Sequence, residues 1–286
     1  MTPFLSWPDR MRAFVGSSLS EPLYGLFSLF PQCEIGLSSH SVSRLTYAHR
    51  VLAGHRAVHL SDLHLDRFQP RHERILATVG ELQPHWIFVT GDLLNVPKGL
   101  PHLFRFLAGL REMAPVYLTL GNHDHYSGVP IEQFSAWAER HDVTLLVNQT
   151  AFLTTDRGEL AVAGVDDPSL HRADLRCLPQ PSPNRFTLLL AHAPNILDQL
   201  EPHHDVDLIL CGHSHGGQWH IPGIPTLWLP PGCNGRIAGH HHERGYRLYV
   251  NRGLGWSFLP LRFNCRPEVA LIEWTAESPA PAVMAA

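Results

Sequence analysis

Short apolar runs alternate with segments of helical spacing through the first half of the chain. The runs at 57–61, 86–90 and 116–118 are short and largely apolar, the last with β-branched and aromatic residues, and they predict buried strands. Between them, segments 72–82 and 100–110 place apolar residues on one face at helical spacing. An alternation of strand and helix is typical of a parallel or mixed sheet that is covered by helices and connected by right-handed crossovers.

The second half of the chain predicts more β structure. A helix is expected at 131–140, and short strands at 144–147, 151–155 and 160–165 predict a second sheet of antiparallel character. The remaining expectations are an edge strand at 34–44, strands at 186–191, 206–211, 247–251 and 269–274, a helix at 196–200 and a loop at 178–183. Because no repeat or clear linker occurs, we expect one two-sheet domain over residues 33–276.

Five of the predicted strands are followed directly by side chains that can bind a metal or carry a proton. In open α/β sheets, ligands bind at the carboxyl ends of the strands. These residues are Asp62, His64, Asp92, Asn122, His123, Asp124, His192, His213 and His215. The stretch TLGNHDHY at 119–126 could by itself be a solvated turn, but the repetition at four other strand ends favours a functional edge.

Composition narrows the possible partners. The net charge of −4 provides no global basic field, so we expect no nucleic-acid partner. The 21 histidines are unusual, since imidazole is both a metal ligand and a proton carrier near neutral pH. The five cysteines form no CxxC pair and indicate a reducing, cytoplasmic compartment. Cys211 ends an apolar run and is interpreted as a buried strand residue.

The amino-terminal residues 1–32 interleave aromatic residues with arginines at a roughly helical spacing. No run of 18 or more apolar residues occurs, so no transmembrane helix is predicted. An amphipathic helix of this kind could lie peripherally on the inner face of the cytoplasmic membrane. It could equally pack on the domain itself or on a second subunit, and the oligomeric state stays open. Residues 277–286, rich in alanine and proline, predict a disordered tail.

The strand-end residues suit a particular group of metals. Carboxylates, imidazoles and one amide, with no thiolate among them, favour Zn, Mn or Fe(II). One ion would use four to six of these ligands, and the set contains enough for two. A shared carboxylate, for which Asp92 is the best candidate, would hold two ions about 3.5–4 Å apart.

Five sequence blocks together resemble a known family. They are DLH at 62–64, GDLLN at 91–95, GNHD at 121–124, the lone His192, and GHSH at 212–215. In this order they resemble the calcineurin-like metallophosphoesterases, over roughly residues 57–274. The resemblance implies an α/β (α+β) fold, a four-layer sandwich of two mixed β-sheets flanked by helices.

The resemblance also implies a role for each residue. It implies Asp62, His64 and His215 on a first divalent ion, Asp92 bridging, and Asn122, His192 and His213 on a second. His123 corresponds to the catalytic histidine of the family, with Asp124 orienting it. Two such ions lower the pKa of a bridging water, whose hydroxide form would attack phosphorus while His123 protonates the leaving oxygen.

Downstream segments narrow the resemblance to one branch. GVDDP at 164–168, GHSHGGQ at 212–218 and the stretch 251–272 are similar to membrane-associated bacterial phosphodiesterases and UDP-2,3-diacylglucosamine pyrophosphatases of lipid A biosynthesis. A phosphorylated small molecule or a lipid-linked nucleotide is therefore the expected substrate. A broad-specificity phosphodiesterase or phosphatase is the alternative. A non-catalytic metal-binding scaffold is the alternative from another class, and the His123–Asp124 pair argues against it.

A few further residues have competing interpretations. Arg252 is the candidate substrate-binding residue, with Arg262 beside it, because the planar guanidinium matches phosphate oxygens. Residues 240–242, three histidines, favour an exposed loop over a contact with phosphate or a third metal. Asp166 and Asp167, in a turn-like DDP, are expected to structure their loop and not to bind metal.

Overall fold

The structure is a computed structural model. It describes residues 33–35, 39–219, 226, 229–256 and 261–276. The predicted amphipathic segment 1–32 and the predicted tail 277–286 lie outside the described residues. Within the described part of the chain, no helix is both long enough and apolar enough to span a bilayer.

The described residues form two six-stranded sheets, a two-stranded sheet and five α-helices. The strands are β1 Cys33–Ile35, β2 Ser41–Ala48, β3 Arg56–Leu60, β4 Trp86–Thr90, β5 Val116–Thr119, β6 Thr144–Leu145, β7 Gln149–Thr155, β8 Gly158–Gly164, β9 Arg185–Leu190, β10 Leu208–Cys211, β11 Gly239–Glu243, β12 Tyr246–Val250, β13 Leu261–Phe263 and β14 Glu268–Thr275. The α-helices are α1 Pro70–Leu82, α2 Leu100–Arg111, α3 Asn122–Tyr126, α4 Ile131–Arg140 and α5 Ile196–Gln199.

The first sheet has the strand order β2-β14-β3-β4-β5-β6. Strands β3 to β6 are parallel, and β14 runs antiparallel to β3. Helices α1, α2 and α4 cover one face, where side chains such as Val79, Leu103 and Phe106 are buried. Every residue of β4 is buried, because helices cover one side of this strand and the second sheet covers the other.

The second sheet has the order β11-β12-β10-β9-β8-β7. Its inner strands β8, β9, β10 and β12 are parallel, and only the edge strands β7 and β11 are antiparallel to their neighbours. The predicted antiparallel character is therefore wrong for the interior. The predicted strand 144–147 belongs instead to the first sheet, since α4 returns the chain to the edge of β5 as a parallel crossover.

Two other local predictions change. The histidines 240–242 lie in the edge strand β11 and not in a loop, because this segment pairs with β12 along its whole length. The predicted edge strand 34–44 is divided between β1, which pairs with β13, and β2, which forms the edge of the first sheet. Cys211 is buried in β10, as predicted.

The two sheets pack face to face around a shared apolar core. Trp86, Phe88 and Tyr117 of the first sheet meet Leu188 and Leu210 of the second. A further cluster lies on the outer face of the second sheet, under the short helix α5. The layers are therefore helices, sheet, sheet and a thin layer around α5, which confirms the predicted fold class. In this arrangement the carboxyl ends of β3, β4, β5, β9 and β10 meet at one edge of the sandwich.

Candidate metal centre

The loops that follow β3, β4 and β10 have an unusual backbone at the predicted site residues. Asp62, His64, Asp92, His213 and His215 have φ of 50°, 43°, 51°, 72° and 51°. This left-handed conformation costs roughly 1–2 kcal/mol for each residue other than glycine. Hydrogen bonds between the loops hold it in place, including Asp62 N–H to Gly91 O at 3.1 Å and His64 N–H to Asp92 O at 2.9 Å. Strain of this kind concentrates at functional sites.

A first cluster of donor atoms comes from four buried residues. One ligand atom each from Asp62, His64, Asp92 and His215 lies within 4.8 Å of the others. His64 Nε2 is 3.2 Å from His215 Nε2 and 3.5 Å from Asp92 Oδ2. His215 Nε2 is 3.4 Å from Asp62 Oδ1. Two carboxylates and two imidazoles in this arrangement fit one divalent cation of the Zn, Mn or Fe group.

Contacts behind this cluster orient His64, and they come from Asp66 and Asn95, for which the sequence predicts no role. Asn95 Nδ2 donates to Asp66 Oδ2 at 2.9 Å, so the Asn95 Oδ1 atom is an acceptor facing His64 Nδ1 at 2.8 Å. His64 therefore carries its proton on Nδ1 and directs the Nε2 lone pair into the cluster. Two sequence features could have identified these contacts: the alternate-residue spacing of Asp62, His64 and Asp66, and the Asn95 that ends GDLLN.

A second cluster adjoins the first on the other side of Asp92. His192 Nε2 lies 3.3 Å from Asp92 Oδ2 and 3.1 Å from His213 Nδ1. His192 Nδ1 faces the carbonyl of Thr90 at 2.8 Å, and His213 Nε2 faces the carbonyl of Pro231 at 2.7 Å. A carbonyl only accepts, so these ring nitrogens carry protons and the opposite nitrogens are directed at each other.

Asn122 lies between Gly121, which packs closely against Asp92 and His192, and His123, whose N–H donates to Asp92. Its Oδ1 atom is buried and has no hydrogen-bond partner among the described residues. A buried amide oxygen without a partner is uncommon, since leaving it unsatisfied costs free energy. A metal ion is a chemically suitable partner, because amide oxygens bind divalent cations well.

Electrostatics keep negative charge at the centre of the two clusters. Burial would raise the pKa of Asp92, but the imidazoles of His192, His123 and His64 outweigh it and hold this pKa well below its usual range. Burial would lower the pKa of His192, but Asp92 and Asp62 raise it well above its usual value. The metal-free pair is therefore carboxylate and imidazolium, and a bound cation would take the place of the His192 proton.

The other ligand candidates also respond to burial. Burial raises the pKa of Asp62 to about 6, although nearby His192 acts in the opposite direction. Burial and the charge of His192 lower the pKa of His213 to about 4, so this imidazole is neutral at physiological pH. A neutral imidazole is the form that coordinates a metal.

His123 and Asp124 lie on α3, directly beside both clusters. The backbone N–H of His123 donates to Asp92 Oδ1 at 2.8 Å, and its ring centroid is 4.8 Å from that of His64. Asp124 accepts from the N–H groups of Leu93 at 2.8 Å and Gly121 at 2.8 Å, and burial and Asp92 raise its pKa to about 7. Asp124 thus clamps two loops together, while its orienting effect on His123 stays a prediction.

Two glycines allow the loops to approach this closely. A Cβ on Gly121 would collide with Asp92, and a Cβ on Gly212 would overlap Ser61 Oγ and the Asp62 carboxylate. The GNHD and GHSH blocks therefore begin with glycine for steric reasons that are specific to this site.

The remaining candidates have structural partners. Arg252 Nε is 3.2 Å from Glu268 Oε2, and its Nη2 donates to Ser41 Oγ at 3.1 Å. The Arg252 guanidinium is thus already paired with a buried carboxylate. A contact between Arg252 and substrate stays a prediction. Asp167 accepts from Ser169 N–H and Oγ–H, which agrees with the expected loop-structuring role.

Comparisons with known proteins agree with this geometry. A sequence model of the calcineurin-like phosphoesterases matches residues 55–217. The chain therefore belongs to the calcineurin-like phosphoesterase family, and the predicted enzyme class, a metallophosphoesterase, is confirmed.

Two relatives illustrate the similarity. The chain is 31% identical over 220 residues to YkoQ of Bacillus subtilis, named an uncharacterized metallophosphoesterase, over 74% of this chain and 80% of that one. It is 30% identical over 254 residues to the phosphodiesterase YaeI of Escherichia coli, over 86% of this chain and 92% of that one.

Proposed function

We propose that this protein hydrolyses phosphodiester or diphosphate bonds with two divalent metal ions. The observation that carries the proposal is the position of Asp92 Oδ2, which lies 3.5 Å from His64 Nε2 and 3.3 Å from His192 Nε2. One carboxylate oxygen therefore faces a donor cluster on each side. This arrangement suits a carboxylate that would be shared between two divalent ions.

The residues divide into two ligand sets. Asp62, His64 and His215 would hold the first ion, Asn122, His192 and His213 the second, and Asp92 both. Bound in this way, the ions would supply Lewis acidity toward a phosphoryl group. They would also lower the pKa of a metal-bound water molecule to near neutral.

His123 has a different task in this proposal. Its ring packs edge-on against His64, and its backbone is anchored to Asp92. It is therefore positioned beside the ligands without belonging to either donor set. We assign it as the acid that protonates the leaving oxygen, with α3 and the Asp124 clamp fixing its position.

The substrate class rests on two supporting facts. The related YaeI protein is named a phosphodiesterase. In addition, the segment 1–32 continues into β1, which pairs with β13, and Arg262 of β13 lies 3.3 Å from His215. An amphipathic segment joined at this point would bring a lipid-linked substrate to the site. UDP-2,3-diacylglucosamine is our specific candidate, and a broad-specificity phosphodiesterase is the alternative.

The test compares substrates on one preparation. Protein stripped of metal and reloaded with Mn²⁺ is assayed with bis(4-nitrophenyl) phosphate, 4-nitrophenyl phosphate and UDP-2,3-diacylglucosamine. We expect hydrolysis of the diester and of the lipid nucleotide, and loss of both activities in Asp92→Asn. Absence of hydrolysis with every substrate would contradict the proposal and favour a metal-binding scaffold. Hydrolysis of the two model compounds alone would favour the broad-specificity alternative.

Peripheral membrane contact is tested separately. We expect full-length protein to co-sediment with anionic liposomes, and the double variant Trp7→Ser/Phe27→Ser to do so less. The exposed residue Phe152, on β7, provides a matched control as Phe152→Ser. Equal sedimentation of all three proteins would contradict membrane contact through the amino-terminal segment.

A further inference from the structure

Arg71 is a buried arginine whose Nε atom has no hydrogen-bond partner in the part of the chain that the structure describes. It is the second residue of α1 and is only 7% exposed. Its Nε is buried and unpartnered among the described residues, and its guanidinium lies 4.7 Å from the centre of the Trp256 ring. Burial and the charge of Arg262 lower the pKa of Arg71 to about 10, so the side chain remains a cation at neutral pH.

The neighbouring charge has the same sign. Arg262 is fully buried, and its guanidinium donates to the backbone carbonyls of Gly255 at 2.6 Å and Arg252 at 2.8 Å. Burial lowers the pKa of Arg262, and the nearby Asp62 carboxylate opposes this effect, so Arg262 has an opposite charge close to it. A buried cation such as Arg71 is costly unless it is also paired with an opposite charge. An anionic group of a bound molecule, placed against Arg71, would remove that cost.

Short contacts connect these two arginines to the first donor cluster. Arg262 Nη2 is 3.3 Å from His215 Nδ1. Gly255, whose carbonyl Arg262 holds, donates its N–H to the Asp62 carbonyl at 2.6 Å. Trp256 follows Gly255 directly in sequence, and the Arg71 guanidinium lies over the Trp256 ring. The chain of contacts therefore runs from a ligand candidate of the first ion to Arg71.

The helix beneath Arg71 adds charge of the same sign. α1 spans 13 residues and begins at Pro70, so Arg71 lies at its positive end. A helix amino terminus favours an anion, and a guanidinium offers a planar pair of donors that matches phosphate oxygens. The combined features are those of a phosphate-binding position beside the metal centre.

We propose that Arg71 binds a second phosphoryl group of the substrate, adjacent to the phosphoryl group that is hydrolysed. This inference rests on the proposed function and narrows it to diphosphate diesters. Arg71 is then a specificity residue: it distinguishes a diphosphate diester from a simple phosphodiester, which has nothing to place against it.

A matched pair of substrates tests the inference. Bis(4-nitrophenyl) phosphate and P1,P2-bis(4-nitrophenyl) diphosphate differ by one phosphoryl group. We expect Arg71→Met to lower kcat/KM for the diphosphate by about 10- to 100-fold, the effect of losing a charge-assisted contact, and for the simple diester by less than about threefold. Arg71→Lys should recover part of the loss. Equal effects on both substrates, or none on the diphosphate, would overturn the inference.

A binding measurement separates this inference from the proposed function. Calorimetric titration of metal-free protein with inorganic pyrophosphate should show binding to the wild type and at least tenfold weaker binding to Arg71→Met. If the wild type hydrolyses neither substrate, the proposed function is wrong. The pyrophosphate titration would then still show whether Arg71 binds a phosphoryl group. Equal pyrophosphate affinity in the two proteins would overturn the inference.

A stability measurement excludes a purely structural role. In buffer free of multivalent anions, Arg71→Met should be at least as resistant to urea as the wild type, because the buried cation it removes has no hydrogen-bond partner at Nε within the described ranges. Added pyrophosphate should stabilise only the wild type. Marked destabilisation of Arg71→Met in anion-free buffer would assign Arg71 to the fold and overturn the inference.

Discussion

Replacing Asn122 by alanine should have opposite effects on the metal-free and metal-loaded protein. Asn122 Oδ1 is buried, and none of the residues that the structure describes forms a hydrogen bond with it. Removing an unsatisfied buried polar group relieves roughly 1–3 kcal/mol. The truncation also loses packing of a small side chain, on the order of 1 kcal/mol. We therefore expect the metal-free variant to have an unfolding free energy no lower than that of the wild type.

The metal-loaded protein should show the reverse. An ion at 100 times its dissociation constant stabilises the folded state by about 2.7 kcal/mol. If losing the Asn122 oxygen weakens the second ion about 100-fold, the same concentration stabilises the variant by only roughly 0.4 kcal/mol. The wild type should then gain about 2 kcal/mol more than the variant from that ion.

Urea unfolding in EDTA and in Mn²⁺, with metal content from mass spectrometry, measures both effects. Asn148→Ala is a suitable control, because Asn148 Oδ1 accepts hydrogen bonds from Asp166 N–H and Asp174 N–H. This control should lose stability under both conditions and keep its metal. Destabilisation of Asn122→Ala in EDTA, or retention of as much Mn²⁺ as in the wild type, would contradict a metal-binding role for the Asn122 oxygen.

Three further changes test other parts of the account. His123→Ala should keep its metal content and lose about 10²–10⁴-fold in turnover; equal loss of metal would contradict its role as acid. Gly212→Ala should lower both metal content and thermal stability, measured by calorimetry, because the new Cβ overlaps Ser61. The control Gly80→Ala should keep both, because its Cβ would lie at an ordinary contact distance of 3.7 Å from Met113. Burial would raise the pKa of Glu268, but Arg252 outweighs this effect and holds that pKa below its usual 4.5. The ionised Glu268 carboxylate therefore stabilises the fold, and this stabilisation is lost as pH falls through the lowered pKa. Glu268→Gln should flatten this acid loss in urea titrations, and an unchanged slope would contradict the pairing.

The strands that position the site could be predicted because each is a short run of mostly apolar residues. Strands such as β4 and β5 are buried on both faces, so their sequence shows no competing polar pattern. The polar residues that follow them then stand out at one edge. Blocks such as GNHD and GHSH therefore located the candidate ligands without coordinates, and the structure brings them together.

Pairing partners were harder to predict than the strands themselves. The segment at 144–147 has the same local pattern whether it joins the first sheet or the second, because only the crossover through α4 decides its neighbour. The sequence predicts a loop at the histidines of β11, because an edge strand tolerates polar residues and its sequence then resembles that of a loop.

Contacts across long sequence separations were not predictable at all. Asp66 reaches Asn95, and Arg262 reaches His215, only after both sheets have assembled. That Arg71 Nε and Asn122 Oδ1 are buried without hydrogen-bond partners among the described residues likewise follows only from the folded structure.

The most direct test of a two-ion hydrolase is activity as a function of bound metal. Metal-free protein is titrated with Mn²⁺ while bound metal and hydrolysis of bis(4-nitrophenyl) phosphate are measured in the same samples. A two-ion site should show little activity with one equivalent bound, and activity that rises with the second equivalent and is absent in Asp92→Asn. Full activity with a single bound ion, or none with two, would contradict a two-ion mechanism.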